Sequence, residues 1–305
     1  MNRKKSKDLP ASIRQRLLNL ARTHQEDFLF TLTRFGIERL LYRLSKSKYA
    51  NHFVLKGATL YMVWNEKMYR ATKDLDLLAI GESSLEKMVD IFRDVCTVKV
   101  EDDGLVYQAN IVRGIEIREE QEYNGARITL EAKLGEARIP LQIDIGFGDI
   151  ITPAPRKIDF PSMLDLPSPR MNAYPPEAVI AEKFQAMVVL GMKNSRMKDF
   201  YDLWYLAKYF SFKGNSLRRA IESTFNRRKT KLPGGRPLAL TAEFSEDSFK
   251  KQQWKAFLER AHLNDYKMEL CDTAQDLCTF LLPPTEAIRL KLPFQKVWKP
   301  GGPWR

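Results

Sequence analysis

The chain has 305 residues, 44% of them hydrophobic and 29% charged, which is material for one large or two modest domains and excludes disorder as the default. No apolar run reaches the roughly eighteen residues of a membrane span, and MNRKKSKDLP lacks the apolar stretch of a secretory signal, so a cytoplasmic protein is expected. The net charge of +12 points to a polyanionic partner, while the odd set Cys96, Cys271 and Cys278 and the scattered His24, His52 and His262 exclude a disulfide framework and a zinc motif.

Along residues 11–47, Ile13, Leu17, Leu20 and Ala21, then Phe28, Leu32 and Phe35, then Ile37, Leu40, Leu41 and Leu44 recur at helical spacing. From His52 the pattern changes: FVLKG reads as a short buried strand, ATLYMVWNE as a helix and DLDLLAIG as a second strand. A helix over 83–95 follows, then strand-like stretches at 105–112, 126–133 and 139–149, predicting a sheet of four or five strands. Seven prolines in TPAPRKIDFPSMLDLPSPRMNAYPP predict an irregular connection between lobes, dividing the chain into domains 1–155 and 156–305. Beyond it, PPEAVIAEKFQAMVVLG and KDFYDLWYLAKYF have helical spacing, and KPGGPWR reads as an extended surface tail.

Asp74 and Asp76 stand two apart in a strand pattern, so both project from one face, with Cα atoms roughly 7 Å apart, while Leu75 and Leu77 point to the other. Asp144 repeats the arrangement among Leu141, Ile143 and Ile145. Three carboxylates over one sheet face repel unless a cation neutralises them, and hard oxygen ligands favour Mg²⁺. Two such ions about 4 Å apart activate a hydroxyl and neutralise a leaving pyrophosphate, the chemistry of phosphoryl or nucleotidyl transfer. A lone DxD is weak, being also the pattern of any strand with a wet face. The upstream strand, glycine turn and helix, with the downstream acid strand, carry the specificity.

At Lys56-Gly57 the chain leaves a strand and enters a helix near Ala58-Thr59, a place where backbone N–H groups and the Thr59 hydroxyl could meet phosphate oxygens. Arg70 and Lys73 precede the DxD and could contact nucleotide phosphates or pair with acids. Lys183 lies in an apolar helical stripe between Ile180 and Met187, which is costly without a phosphate or an acid such as Asp199 or Asp202. A structural ion pair, or an N-cap role for Asp199, competes with that reading.

Taken together, LLYRLSKSKYANHFVLKGATLYMVWNEKMYRATKDLDLLAIG, IPLQIDIGFGD, AVIAEKFQAMVVLGMKNSRMKDFYDLWYL and WKAFLER resemble the AbiEii/AbiGii toxin family over nearly the whole chain. The resemblance implies an α+β fold: a minimal nucleotidyltransferase mixed sheet of the DNA polymerase β type, flanked by helices, with a helical C-terminal lobe completing the active-site cleft. It implies an NTP substrate, Mg²⁺, and nucleotide transfer to an RNA acceptor, the tRNA 3′ end, which blocks translation, along with a winged-helix antitoxin as partner. By that resemblance the family's glycine turn falls on Gly57-Ala58, its acids on Asp74, Asp76 and Asp144, and its later motifs on Lys183 and on Asp199 or Asp202. Ala58 departs from the serine of many members. Arg218, Arg219, Arg227, Arg228, Lys229, Lys231 and Arg236, and the N-terminal Arg3, Lys4, Lys5 and Lys7, could track an RNA backbone or form a solvated face. The alternatives are an inactive nucleotide- or RNA-binding module and a metal-dependent nuclease.

Overall fold

A computed structural model describes residues 8–64, 74–81, 84–118, 124–148, 151–263 and 268–305. The chain forms two units, each with its own core: the described residues of 1–148 together with 156–173, and those of 149–155 together with 174–305.

The first unit opens with α1 (Leu9–His24) and α2 (Phe28–Lys46). Asp8 and Asp27 start them, each carboxylate accepting a backbone N–H of the first turn. β1 (Phe53–Lys56), α3 (Leu60–Trp64), β2 (Asp74–Ala79) and α4 (Leu85–Cys96) follow, then β3 (Leu105–Tyr107), β4 (Arg113–Arg118), β5 (Asn124–Leu134), β6 (Ala137–Phe147), β7 (Arg156–Asp159) and β8 (Arg170–Ala173). These make one mixed eight-stranded sheet in the order β3-β5-β6-β2-β1-β8-β7, with β4 beside β3 on the outer edge of β5. β2 and β6 run parallel at its centre. The α+β expectation holds.

Alternation decides which face is dry. Leu75, Leu77, Ile139, Leu141, Ile143 and Ile145 are buried on one side of β2 and β6. α2 packs on this side so closely that a methyl group on Gly36 would stand 3.2 Å from the Leu141 side chain. α4 covers the same sheet at β4 and β5.

A buried ionic network ties α2 to the loops around it. Arg39 Nε donates to Asp103 at 3.0 Å, and Arg43 forks onto the same carboxylate at 2.7 and 2.9 Å. Arg39 also donates to the Pro167 carbonyl at 2.7 Å, while Glu38 accepts from Ser162 Oγ and the Met163 N–H. Burial alone pushes the Asp103 carboxyl up, but Arg43 and Arg39 outweigh it and hold the acid ionised.

The sequence reading differs from the structure at several points, the first being that the sheet has eight strands rather than four or five. The stretch expected as one strand at 105–112 is broken by a 3₁₀ turn at Ala109–Ile111, with β4 beyond it. The proline-rich connection contributes β7 and β8, because its prolines fall outside Arg156–Asp159 and Arg170–Ala173 and leave those ladders their N–H donors. The tail KPGGPWR runs along the surface as expected but is anchored at one point: Trp304 is buried, as is Trp298 just before the tail, and the Trp304 indole donates to the Phe280 carbonyl.

The second unit is mainly helical: α5 (Pro176–Leu190), α6 (Met197–Tyr209), α7 (Gly214–Arg227), α8 (Ala242–Ser245), α9 (Ser248–Arg260) and α10 (Leu270–Arg289). β9 (Phe212–Lys213) pairs with β10 (Val297–Trp298), fastening the tail beside the start of α7. Among the described residues no helix is long and apolar enough to cross a membrane.

Candidate active site

The register of four strands sets out the site. Lys56 of β1 pairs with Asp76 of β2, Asp76 with Asp144 of β6, and Asp144 with Arg127 of β5. Cross-strand partners share a face, so these four side chains form one row, cation-acid-acid-cation. Asp74 lies two residues along β2, opposite Gln142, and so projects from the same face. The sequence-predicted acids are therefore brought to one side of the sheet, opposite the buried leucines and isoleucines.

Gly57 follows β1 with φ +73°, a conformation that favours glycine. A methyl group there would stand 1.9 Å from Asp76 Oδ2, so the turn crosses directly over that carboxylate. Ala58 is buried, and so is Thr59, whose hydroxyl donates back to the Lys56 carbonyl at 3.2 Å. The Thr59 hydroxyl therefore closes the turn in this structure. Lys56 Nζ lies 3.5 Å from where a Gly146 side chain would begin, so the ammonium leans along the acid face toward β6. Arg70 and Lys73, like Arg3, Lys4, Lys5 and Lys7, lie outside the described residues.

Arg127 is the member that sequence reasoning missed. Its Nε and Nη2 donate to Asp144 Oδ1 and Oδ2, both at 2.8 Å, a bidentate fork. Those bonds, with the charges of Asp74 and Asp76 beyond them, outweigh partial burial and raise the guanidinium further above its ordinary value. ARITL read only as a strand, and pairing Arg127 with Asp144 requires the non-local register of β5 on β6.

Three carboxylates on neighbouring strands suit a hard divalent cation in donor type and face. Among the described residues, however, no group of three or more His, Cys, Asp or Glu side chains stands close enough to hold one as placed, and both Asp144 oxygens are taken by Arg127.

Lys183, Asp199 and Asp202 form a cluster inside the helical unit. Lys183 Nζ lies 2.5 Å from Asp199 and 2.8 Å from Asp202, two acids with almost no exposure, and Arg196 Nε donates to Asp199 at 2.6 Å. Burial alone pushes the Asp199 carboxyl up, but Lys183 and Arg196 outweigh it and hold it below its ordinary value. Asp199 lies in the first turn of α6, while Arg196 occupies the N-cap. Of the basic stretch, Arg218 pairs with Glu222 and Arg228 with Glu182 and Gln185, whereas Arg219, Lys229 and Lys231 are exposed.

A mixed sheet presenting an Asp-x-Asp strand and a third acid on its parallel neighbour, beside a glycine turn, is the frame of a nucleotidyltransferase. The family model for the AbiEii nucleotidyl transferase toxins of type IV toxin–antitoxin systems matches residues 39–274, and the chain belongs to that family. Among solved structures, JHP933 from Helicobacter pylori is similar at 16% identity and a TM-score of 0.47, over 83% of this chain and 90% of that one. A candidate nucleotidyltransferase from H. pylori is similar at 17% identity and a TM-score of 0.46, over 83% and 92%. No curated protein sequence matches the chain.

Proposed function

We propose that this toxin-family nucleotidyltransferase uses Mg²⁺ to transfer a nucleotidyl group from an NTP to an RNA acceptor, the 3′ end of tRNA, and so halts translation in the cytoplasm until a winged-helix antitoxin restrains it. The observation that carries the reading is the row in which Asp76 stands opposite Asp144 on parallel strands, with Asp74 beside them on the same face.

Asp74, Asp76 and Asp144 are the residues that would hold Mg²⁺, two ions in all, which would activate the acceptor hydroxyl and neutralise the departing pyrophosphate. The chain's own part is binding and orientation. The turn Lys56-Gly57-Ala58-Thr59, with Arg70, is assigned to the triphosphate: Gly57 admits close backbone approach, and Lys56 supplies a cation on the acid face. The acceptor hydroxyl attacks the α-phosphorus, an oxygen–phosphorus bond forms as the bond to pyrophosphate breaks, and the hydroxyl proton leaves to solvent or a carboxylate.

Support for a polyanionic acceptor comes from the rest of the acid face. One register step from the row stand Arg113, Thr129 and Gln142, then Glu131 and Pro140, then Lys133 and Arg138. Three cations against one acid on a largely exposed face suit a phosphate backbone leading to the acids. By the family resemblance Lys183 is assigned to nucleotide phosphate, and Asp199 and Asp202 to the catalytic set beside it. The direct contact of Lys183 with two buried acids also favours a second reading, a structural ion cluster that holds α5 to α6.

The test is incubation with each α-labelled NTP, Mg²⁺ and total RNA. Labelled, lengthened tRNA is expected, and Asp76→Ala should abolish it while leaving the melting temperature unchanged. Full labelling by Asp76→Ala would remove the assignment of the acids. Shortening of RNA without NTP would identify a nuclease, and NTP binding without product an inactive module.

A further inference from the structure

Arg127 has no part in the chemistry proposed above, yet it occupies the end of the acid row. Its fork directs N–H groups at the lone pairs of both Asp144 oxygens, which a cation at that acid would also need. The guanidinium also adds a positive charge that repels any ion arriving there. Its side chain is 36% exposed and that of Asp144 21%, so the arginine can leave the carboxylate for solvent without disturbing the buried face of the sheet.

We infer that Arg127 is a resident counter-cation: it holds Asp144 while no divalent ion is bound, and must release that carboxylate before a divalent cation can take it. The inference rests on the reading of Asp74, Asp76 and Asp144 as cation-binding acids. Its consequence has a definite sign. An arginine that merely orients Asp144 helps the cation bind, so its loss weakens binding. An arginine that competes for Asp144 hinders the cation, so its loss strengthens binding.

The experiment measures Mn²⁺ affinity of the full chain without nucleotide, reading free Mn²⁺ by electron paramagnetic resonance at about 0.1 M salt, where exposed charges more than about 10 Å apart are screened. Arg127→Gln should bind Mn²⁺ about two- to fivefold more tightly, the range set by a partly exposed ion pair. Arg127→Lys, which keeps the charge and loses the fork, should fall between it and the wild type. Arg113→Gln removes an equal charge from the same face without touching Asp144, and should change the affinity less than about twofold.

Weaker or unchanged binding in Arg127→Gln would overturn the inference, as would an equal gain in Arg113→Gln, which would reduce the effect to the general field of the face. Asp76→Asn separates the two levels of the argument. If it abolishes Mn²⁺ binding while Arg127→Gln fails to tighten it, only the counter-cation role falls. If the affinity survives Asp76→Asn, the cation reading of the acids falls and the inference with it. Melting curves on each variant confirm that the protein compared is folded.

Discussion

The smallest informative change at the site is one methyl group. Gly57→Ala places a side chain in left-handed backbone, at a cost of roughly 1–2 kcal/mol, and drives that methyl into the Asp76 carboxylate. The expected outcome is loss of nucleotide transfer with only a modest fall in melting temperature, measured side by side on one preparation. Asp199 gives a prediction in pH. Its depressed carboxyl contributes stability that is full above its ordinary value of 3.8 and is lost as the pH falls through its lower folded value. Acid denaturation of the helical unit should therefore steepen in that window, and Asp199→Asn should flatten this limb of a pH–stability profile. At this scale the acids were legible in the sequence because strand alternation is a local signal. Arg127 was not, since nothing in ARITL says which residue lies across the ladder, and the inward turn of the Thr59 hydroxyl likewise depends on the backbone path at Lys56.

Among the elements, α2 is buried nearly all round from Phe30 to Leu44 and carries ions inside the fold. Arg39 and Asp103 have almost no exposure and share hydrogen bonds, so removing one partner strands a buried charge. Asp103→Ala should cost about 3–5 kcal/mol, read as a shift in the denaturant midpoint, and the double variant with Arg39→Met should recover part of that loss. Lys183→Ala leaves Asp199 and Asp202 without that ammonium and should destabilise the helical unit on a similar scale, about 3–5 kcal/mol. Activity lost with stability kept would instead favour the phosphate role for Lys183. Helices with apolar stripes were legible element by element. β7 and β8 were hidden because four residues between prolines carry too little pattern, and the anchoring of the tail was hidden because the partner of Trp304, the Phe280 carbonyl on α10, lies far back along the chain.

For the molecule as a whole, the charge of +12 was readable at once, but not where it acts. Part of the basic stretch expected to meet RNA is spent on internal pairs, Arg218 with Glu222 and Arg228 with Glu182, while Arg113, Lys133 and Arg138 line the acid face. Under the proposed function, Lys133→Glu with Arg138→Glu should weaken tRNA binding and lower the salt dependence by roughly one to two counterions, measured by titration at several salt concentrations. An unchanged slope would place the RNA elsewhere.

The parallel ladder between β2 and β6 makes the reaction sensitive to a kind of lesion that substitution scanning never samples. Loss of a single codon between those for Arg138 and Ile143 would leave the charge and nearly every side chain intact. Yet it would slide β6 by one position against β2 and bring an isoleucine to the place where Asp144 faces Asp76. Genetic selection for survivors of the toxin should therefore recover in-frame deletions in this stretch as null alleles, even where each individual replacement there is silent.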